Sequence, residues 1–372
     1  LRGEHGKAAL AYREALHLSA PDDERRHALL LGEAQAYFAR GRASAMADDW
    51  GSARSDFQEA ARLSPETSLR AAAEYDLAAA HLAFEQWEEA ARLLERYTVA
   101  YPEHELQPEV QRKLAYAYIQ QGSPGVAADR YFDVGRSANQ QPALRREALA
   151  NAMRLYESEG QLTRAIDAGE YYVEVFPTPS WQAVSVMRQL AELESLRDNA
   201  PRRRQWLGRI VSLDRKAGDS TTVAVAAEAA LELADFQREE FSEIRLAIPL
   251  QSNLTRKIDS MEKALSAYES AIDYGIPAVT SAAMHRMASM YDDLGRALLG
   301  SERPASLSEA ELLEYESLLA AQAAPFAQQA MDIYRLNAER AREQPADPWV
   351  AKSLEQLQVM THAQEHPGES ET

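Results

Sequence analysis

Residues 53–65 read ARSDFQEAARLSP, and residues 90–102 read AARLLERYTVAYP. Each places a small residue, a large one, a further packing residue and a proline at offsets 0, 4, 7 and 12: Ala53, Phe57, Ala60 and Pro65, then Ala90, Leu94, Tyr97 and Pro102. The pattern returns as Ala127, Tyr131 and Val134, with the proline displaced to Pro142, and again as Ala165, Gly169, Tyr172 and Pro177. The first-position alanines are 37, 37 and 38 residues apart. Offsets of 4 and 7 put the side chains on one helical stripe, where alanine admits a close neighbour and the large residue fills the space beyond. Proline then ends the helix, because it has no N–H to donate and restricts the residue before it. A half copy, Ala8, Tyr12 and Ala15 followed by Pro21, opens the chain.

Upstream of each such helix the sequence predicts a second one. In the third unit it runs from about Ser68 to Phe84, with Leu77, Ala78 and His81 on its packing face ahead of a Gln86-Trp87 turn. The same positions read Leu114, Ala115 and Tyr118, then Ala152, Met153 and Tyr156, with Gly122 and Gly160 in the turns. Gly41 takes the small-residue role in the second unit, with Trp50 near its turn. Composition agrees: 68 alanines against 16 glycines and 16 prolines favour helix over the β-branched chemistry of strands. A period of 37 or 38 residues is one helical hairpin, so the length resolves into stacked hairpins.

These residues resemble the tetratricopeptide-repeat (TPR) family, in helix-turn-helix units with small residues and a terminal proline at these offsets. The resemblance covers residues 1–177 and continues weakly to about Gly218. The periods are longer than the family's 34, the first-helix tryptophan is missing, and Gly169 stands where a large residue belongs. What it implies is an all-α, TPR-like right-handed helical-hairpin solenoid whose first helices line a concave groove. By register, the groove residues of the second unit include Phe38, Arg42 and Met46, and those of the third Tyr75 and Leu82. The fourth contributes Arg112, Tyr116 and Ile119, and the fifth Arg154. Aromatic and arginine side chains are enriched at interaction hot spots, and such a groove takes an extended peptide or a partner helix. The lysine and asparagine clamp of chaperone-tail-binding TPRs is not evident.

Beyond residue 177 the predicted units lengthen into a divergent helical region, 178–372, continuous with the array. Trp181 to Leu196, Arg202 to Lys216, Ser220 to Phe241 and Asn253 to Tyr274 read as helices. The repeat pattern resurfaces as Ala264, Tyr268 and Ala271 before Pro277, then as Met287, Ala288 and Tyr291. Ser306-Leu307-Ser308-Glu309 reads as a capped helix start, Pro325 as a helix break or start, Trp349 to Met360 as the last helix, and His366 to Thr372 as a frayed end. Ala271-Ile272-Asp273-Tyr274-Gly275 and Ser301-Glu302-Arg303-Pro304 also resemble segments of the carboxy-terminal region of large proteobacterial cell-envelope TPR proteins, some of them associated with Tol- and Exb-like or gliding-type motors, a resemblance that covers about residues 200–355. The chain starts within half a unit, without a starting Met or a leader, and reads as an excised piece.

The formal charge is −18, from 40 basic and 58 acidic residues, and 34 of the basic ones are arginines. Such a surface repels nucleic-acid backbones and anionic lipid and favours partners of basic or mixed charge. With no cysteine, there is no thiolate metal site or cysteine nucleophile. His362-Ala363-Gln364-Glu365-His366 has H-x-x-E-H spacing, but six residues after it leave no room for a further carboxylate ligand, and the segment reads as a tail. Arg202, Arg203 and Arg204 form the one basic run, beside Trp206, and read as a solvated or intramolecularly salt-bridged face in preference to a contact for phosphate or an anionic partner. No cofactor, metal or catalytic residue is expected. The reading is a noncatalytic interaction scaffold of a bacterial cell-envelope assembly, periplasmic or envelope-associated. The alternative is a cytoplasmic peptide-binding regulator with an effector domain elsewhere.

Overall fold

The structure, a computed structural model, describes residues 2–138, 140–217, 220–342 and 346–365. Among them every regular element is helical. The chain divides into two compact units, Leu1–Val175 and Phe176–Thr372.

The first unit holds α1 (Arg2–Leu18), α2 (Arg26–Ala45), α3 (Trp50–Leu63), α4 (Thr67–Ala83), α5 (Trp87–Ala100), α6 (Gln107–Gln120), α7 (Pro124–Arg136), α8 (Pro142–Ser158) and α9 (Leu162–Val175). Each helix packs on its neighbours in the chain, so α2/α3, α4/α5, α6/α7 and α8/α9 are successive antiparallel hairpins. This is an all-α, TPR-like helical-hairpin fold. The repeat alanines do what their spacing predicts: Ala53, Ala60, Ala90, Ala127 and Ala165 are all 0% exposed, with Phe57, Leu94 and Tyr97 buried beside them. Gly41 faces Phe57 so closely that a Cβ there would come within 2.8 Å of the ring.

The hairpin turns carry a second repeat signal. Asp48, Glu85, Gly122 and Gly160 all have positive φ, at 58°, 55°, 73° and 69°. In each case the next amide donates back to a carbonyl five residues earlier: Asp49 to Ser44, Gln86 to His81, Ser123 to Tyr118 and Gln161 to Tyr156, at 2.8–3.0 Å. A left-handed residue just past the helix satisfies carbonyls that the helix end leaves open.

Successive hairpins are also tied by a recurring polar joint. Glu95 of α5 accepts from the Tyr118 hydroxyl of α6 and, at 2.8 Å, from Arg130 of α7. One hairpin on, Asp129 of α7 accepts from Tyr156 of α8 at 2.6 Å and from Arg164 of α9. At the preceding seam the acceptor is an amide in place of a carboxylate, with Gln86 Oε1 accepting from Arg54 at 3.4 Å and from His81 at 2.7 Å.

The second unit holds α10 (Ser180–Leu196), α11 (Ala200–Ala217), α12 (Val223–Glu243), α13 (Leu250–Ile272), α14 (Pro277–Leu299), α15 (Glu309–Glu339), a 3-10 turn (Arg340–Arg342) and α16 (Pro348–Glu365). The α10/α11 turn repeats the first unit's: Asp198 has φ 54°, and Asn199 donates to Glu194 at 2.9 Å. The polar joint recurs too, with Asp235 of α12 accepting from Tyr268 of α13 at 2.6 Å and from Arg286 of α14 at 2.7 Å. Lys257 is buried, and its ammonium donates to the Phe241 and Ile244 carbonyls at 2.9 and 2.8 Å, closing the end of α12.

Two expectations are corrected. Pro325 neither breaks nor starts a helix but lies inside α15. It lies on the exposed side of the helix, where Ala321 is exposed as well, while Ala323, Ala330, Met331 and Tyr334 stay buried along the opposite face. The start of α15 is two residues later than expected: Ser308 is the cap and forms a capping box with Glu311. His366 to Thr372 lie outside the described residues.

Candidate interaction groove

The first helices of the four hairpins, α2, α4, α6 and α8, carry the residues that the repeat register assigns to a groove. Within this set α2 packs on α4 and α4 on α6, so their side chains share one face. The nine predicted residues fall into two groups. Phe38, Tyr75 and Leu82 are half-buried and pack against the hydrophobic core. Arg42, Met46, Arg112, Tyr116, Ile119 and Arg154 are exposed.

Phe38 leans on Phe57 with ring centroids 5.9 Å apart, and the Arg42 guanidinium lies over the Phe38 ring, 5.9 Å from its centroid. Tyr75 meets Tyr97 edge-on at 6.4 Å and carries the Lys113 ammonium 5.7 Å from its ring. These rings are therefore core members with one accessible edge, which stiffens the wall of the groove. Tyr116, 48% exposed, stands edge-on to Trp87 at 5.7 Å and offers a free face. Met46 is past the end of α2, at its C-cap and 90% exposed, so it belongs to the rim.

Charge connects the helices. Burial raises the Asp76 carboxyl above its ordinary value, and the cations of Arg42 on α2 and Lys113 on α6 oppose that rise from either side. Burial likewise raises the Tyr75 phenol, assisted by Glu109 and Asp76 and opposed by Arg112. Tyr131 of α7 is raised by burial and by Glu147, and Arg154 and Arg112 act against it from two different hairpins. Arg112 is also paired with Glu109 at 2.6 Å, and Arg154 donates to Asn151 at 3.1 Å. A band of mixed charge thus crosses α2, α4, α6 and α8, with aromatic edges set in it.

Sequence register alone missed Asp76, Lys113, Tyr131 and Trp87. Asp76 and Lys113 each sit one residue along from a predicted groove position, so a wider stripe would have found them. Tyr131 occupies the large position of the helix-packing pattern, which assigns it to the core although it is only half-buried.

Other candidate chemistry resolves into structure. Arg202, Arg203 and Arg204 reach Glu194, Glu232 and Glu240 at 3.6, 2.6 and 3.0 Å, and the Arg204 guanidinium lies 4.6 Å from the Phe236 centroid. Among the described residues no group of three or more His, Cys, Asp or Glu is placed to hold a metal ion. His362 is exposed on α16, and its partner in the H-x-x-E-H spacing, His366, lies outside the described residues. No described helix is long and apolar enough to cross a membrane.

Fold and groove together define a helical-hairpin repeat protein of TPR-like type. No protein-family model and no curated protein matches the chain. Among solved structures it is similar to a tetratricopeptide-repeat protein from Parabacteroides merdae, with 14% identity over 77% of this chain and 98% of that one and a TM-score of 0.34. It is also similar to the TPR2AB domain of yeast Sti1 in complex with pHSP90, at 13% identity, 88% and 98% coverage and a TM-score of 0.32. A third is YrrB, described as a TPR protein with an unusual peptide-binding site, at 17% identity, 58% and 96% coverage and a TM-score of 0.33. At TM-scores this low, the fold is carried by the chain's own hairpin geometry.

Proposed function

We propose that the protein is a noncatalytic interaction scaffold whose α2–α8 groove holds a peptide or helix of a partner protein, within a bacterial cell-envelope assembly. The observation that carries this is the band of exposed Arg42 on α2, Arg112, Tyr116 and Ile119 on α6 and Arg154 on α8, set on a wall stiffened by Phe38 of α2 and Tyr75 of α4. A wall that is already ordered loses little conformational freedom on binding, and its arginines can fork onto carboxylates. Asp76, Glu109 and Glu147 alternate with the cations, which suits a partner of mixed charge better than a polyanion. The compartment follows only from the resemblance of residues 200–355.

The test substitutes exposed groove residues, so that folding is kept: Arg112→Glu, Tyr116→Ala and Arg154→Glu together. Affinity purification from the native host should lose specific partners while the circular dichroism spectrum is unchanged. An identical partner set with the triple variant would overturn the groove reading. Envelope partners are expected in the wild-type eluate, and a purely cytoplasmic set would overturn the compartment.

A further inference from the structure

The root of α16 is fastened by a buried polar chain. Asn337 of α15 donates through Nδ2 to the Ser281 carbonyl of α14 at 2.9 Å and to Ser353 Oγ of α16 at 2.8 Å. Ser353 is 0% exposed, and its Oγ lies 3.0 Å from His285 Nδ1 of α14. With Asn337 donating to Oγ, the Ser353 hydroxyl keeps its own proton to give, and the neutral imidazole can accept it at Nδ1. The imidazole is held between Tyr334 of α15 and Trp349 of α16, with ring centroids 5.4 and 5.3 Å away. Val350 and Ser353 are the buried residues of α16, both in its first two turns. Farther along, the helix forms one wall of a largely apolar trough of about 770 Å³, its Val359 and Met360 set across from Leu299 of α14 and Ala323 and Ala327 of α15.

We propose that α16 is an acid-released latch: neutral His285 fastens its root to α14 and α15, and proton uptake by His285 undocks the helix and bares the apolar wall of α14 and α15 that faces it across the trough.

Burial and the cations of three helices oppose a charged imidazole. Burial is the largest cause, followed by the cations of Lys352 on α16, Arg286 on α14 and Arg238 on α12, and Tyr334 supplies no anion from α15. Together these hold His285 down at about 4, from an ordinary 6.5. Lys352 and Arg286 also lie 4.2 and 5.0 Å from the Trp349 ring, so an imidazolium would add a third cation around one indole. Protonation would further make Nδ1 a donor only, so that it could no longer accept the Ser353 proton. The sign follows. The docked state binds fewer protons than the undocked one between pH 6.5 and 4, so acid favours undocking, and the bias is complete below the docked value. The open-to-closed ratio should rise roughly twentyfold between pH 7 and pH 5.

Hydrogen exchange of the full chain tests this, with protection factors of α16 amides compared with those of α14 at the two pH values. The expected result is a roughly twentyfold loss of protection confined to α16 and abolished in His285→Gln, which can still bond Ser353 but does not titrate. Equal pH dependence in wild type and His285→Gln, or no difference between α16 and α14, overturns the proposal. Should that variant fold poorly, the His285 resonance is followed by NMR in the unaltered chain. Titration of His285 near 6.5 with α16 still protected would overturn the proposal, whereas a low value with protection lost on titration supports it.

Discussion

Glu85 holds a left-handed backbone conformation at φ 55° where its counterparts one and two hairpins later are Gly122 and Gly160. A Cβ in that region clashes with the following carbonyl at a cost of about 1–2 kcal/mol, which glycine avoids at some cost in chain entropy. Glu85 is exposed, so replacing it removes no buried contact. Glu85→Gly should therefore stabilise the protein by about 0.5–1 kcal/mol, read as a higher urea midpoint at unchanged slope. Asp48 is a poorer target, because its carboxylate accepts from the Trp50 indole at 2.7 Å. The turn positions show why residue identity is only half a signal. Glycine announces the turn at 122 and 160, whereas at 48, 85 and 198 the same geometry is imposed on Asp and Glu by the helices that flank it.

Between elements, the carboxylate–tyrosine–arginine joints divide unequally in energy. The Tyr156 ring is buried and its hydroxyl reaches a carboxylate, a charge-assisted bond that is shielded on one side. Arg164 and Asp129 are both about half exposed, the setting in which an ion pair contributes little. A double-mutant cycle of Tyr156→Phe with Asp129→Ala should give a coupling of about 1–2 kcal/mol in urea unfolding, and Arg164→Met alone a change under about 0.5 kcal/mol. At this scale the helices were legible because small-large-small spacing and proline stops are local. Pro325 misled for the same reason: burial of Ala330 and Tyr334 on the far face of α15 decides that helix, and burial is not a local property. The groove was half legible. Register found Arg112 and Tyr116, but not that Phe38 and Tyr75 are shared with the core, since that depends on Phe57 and Tyr97 of other helices.

For the molecule as a whole, stability in the Leu1–Val175 unit is spread along a file of helices, each packed chiefly on its neighbours in the chain. Ala90 has no accessible surface, so Ala90→Arg forces a charged chain into the seam between α5 and its neighbours. Hydrogen exchange should show protection lost in α4–α6 and retained in α9, a graded failure in place of a single cooperative one. The surface that remains is acidic and unusually poor in amines, with 34 arginines to six lysines. Residues 1–175 contain Lys7 and Lys113, and only Lys113 lies on the groove face, its ammonium over the Tyr75 ring. An amine-selective fluorophore or photo-crosslinker used on a Lys7→Arg protein would therefore carry its label, within that stretch, at the wall where a partner is expected to sit. Acylation of Lys113 slowed by a bound ligand would then count occupancy directly, turning a scarcity of lysine into a built-in reporter.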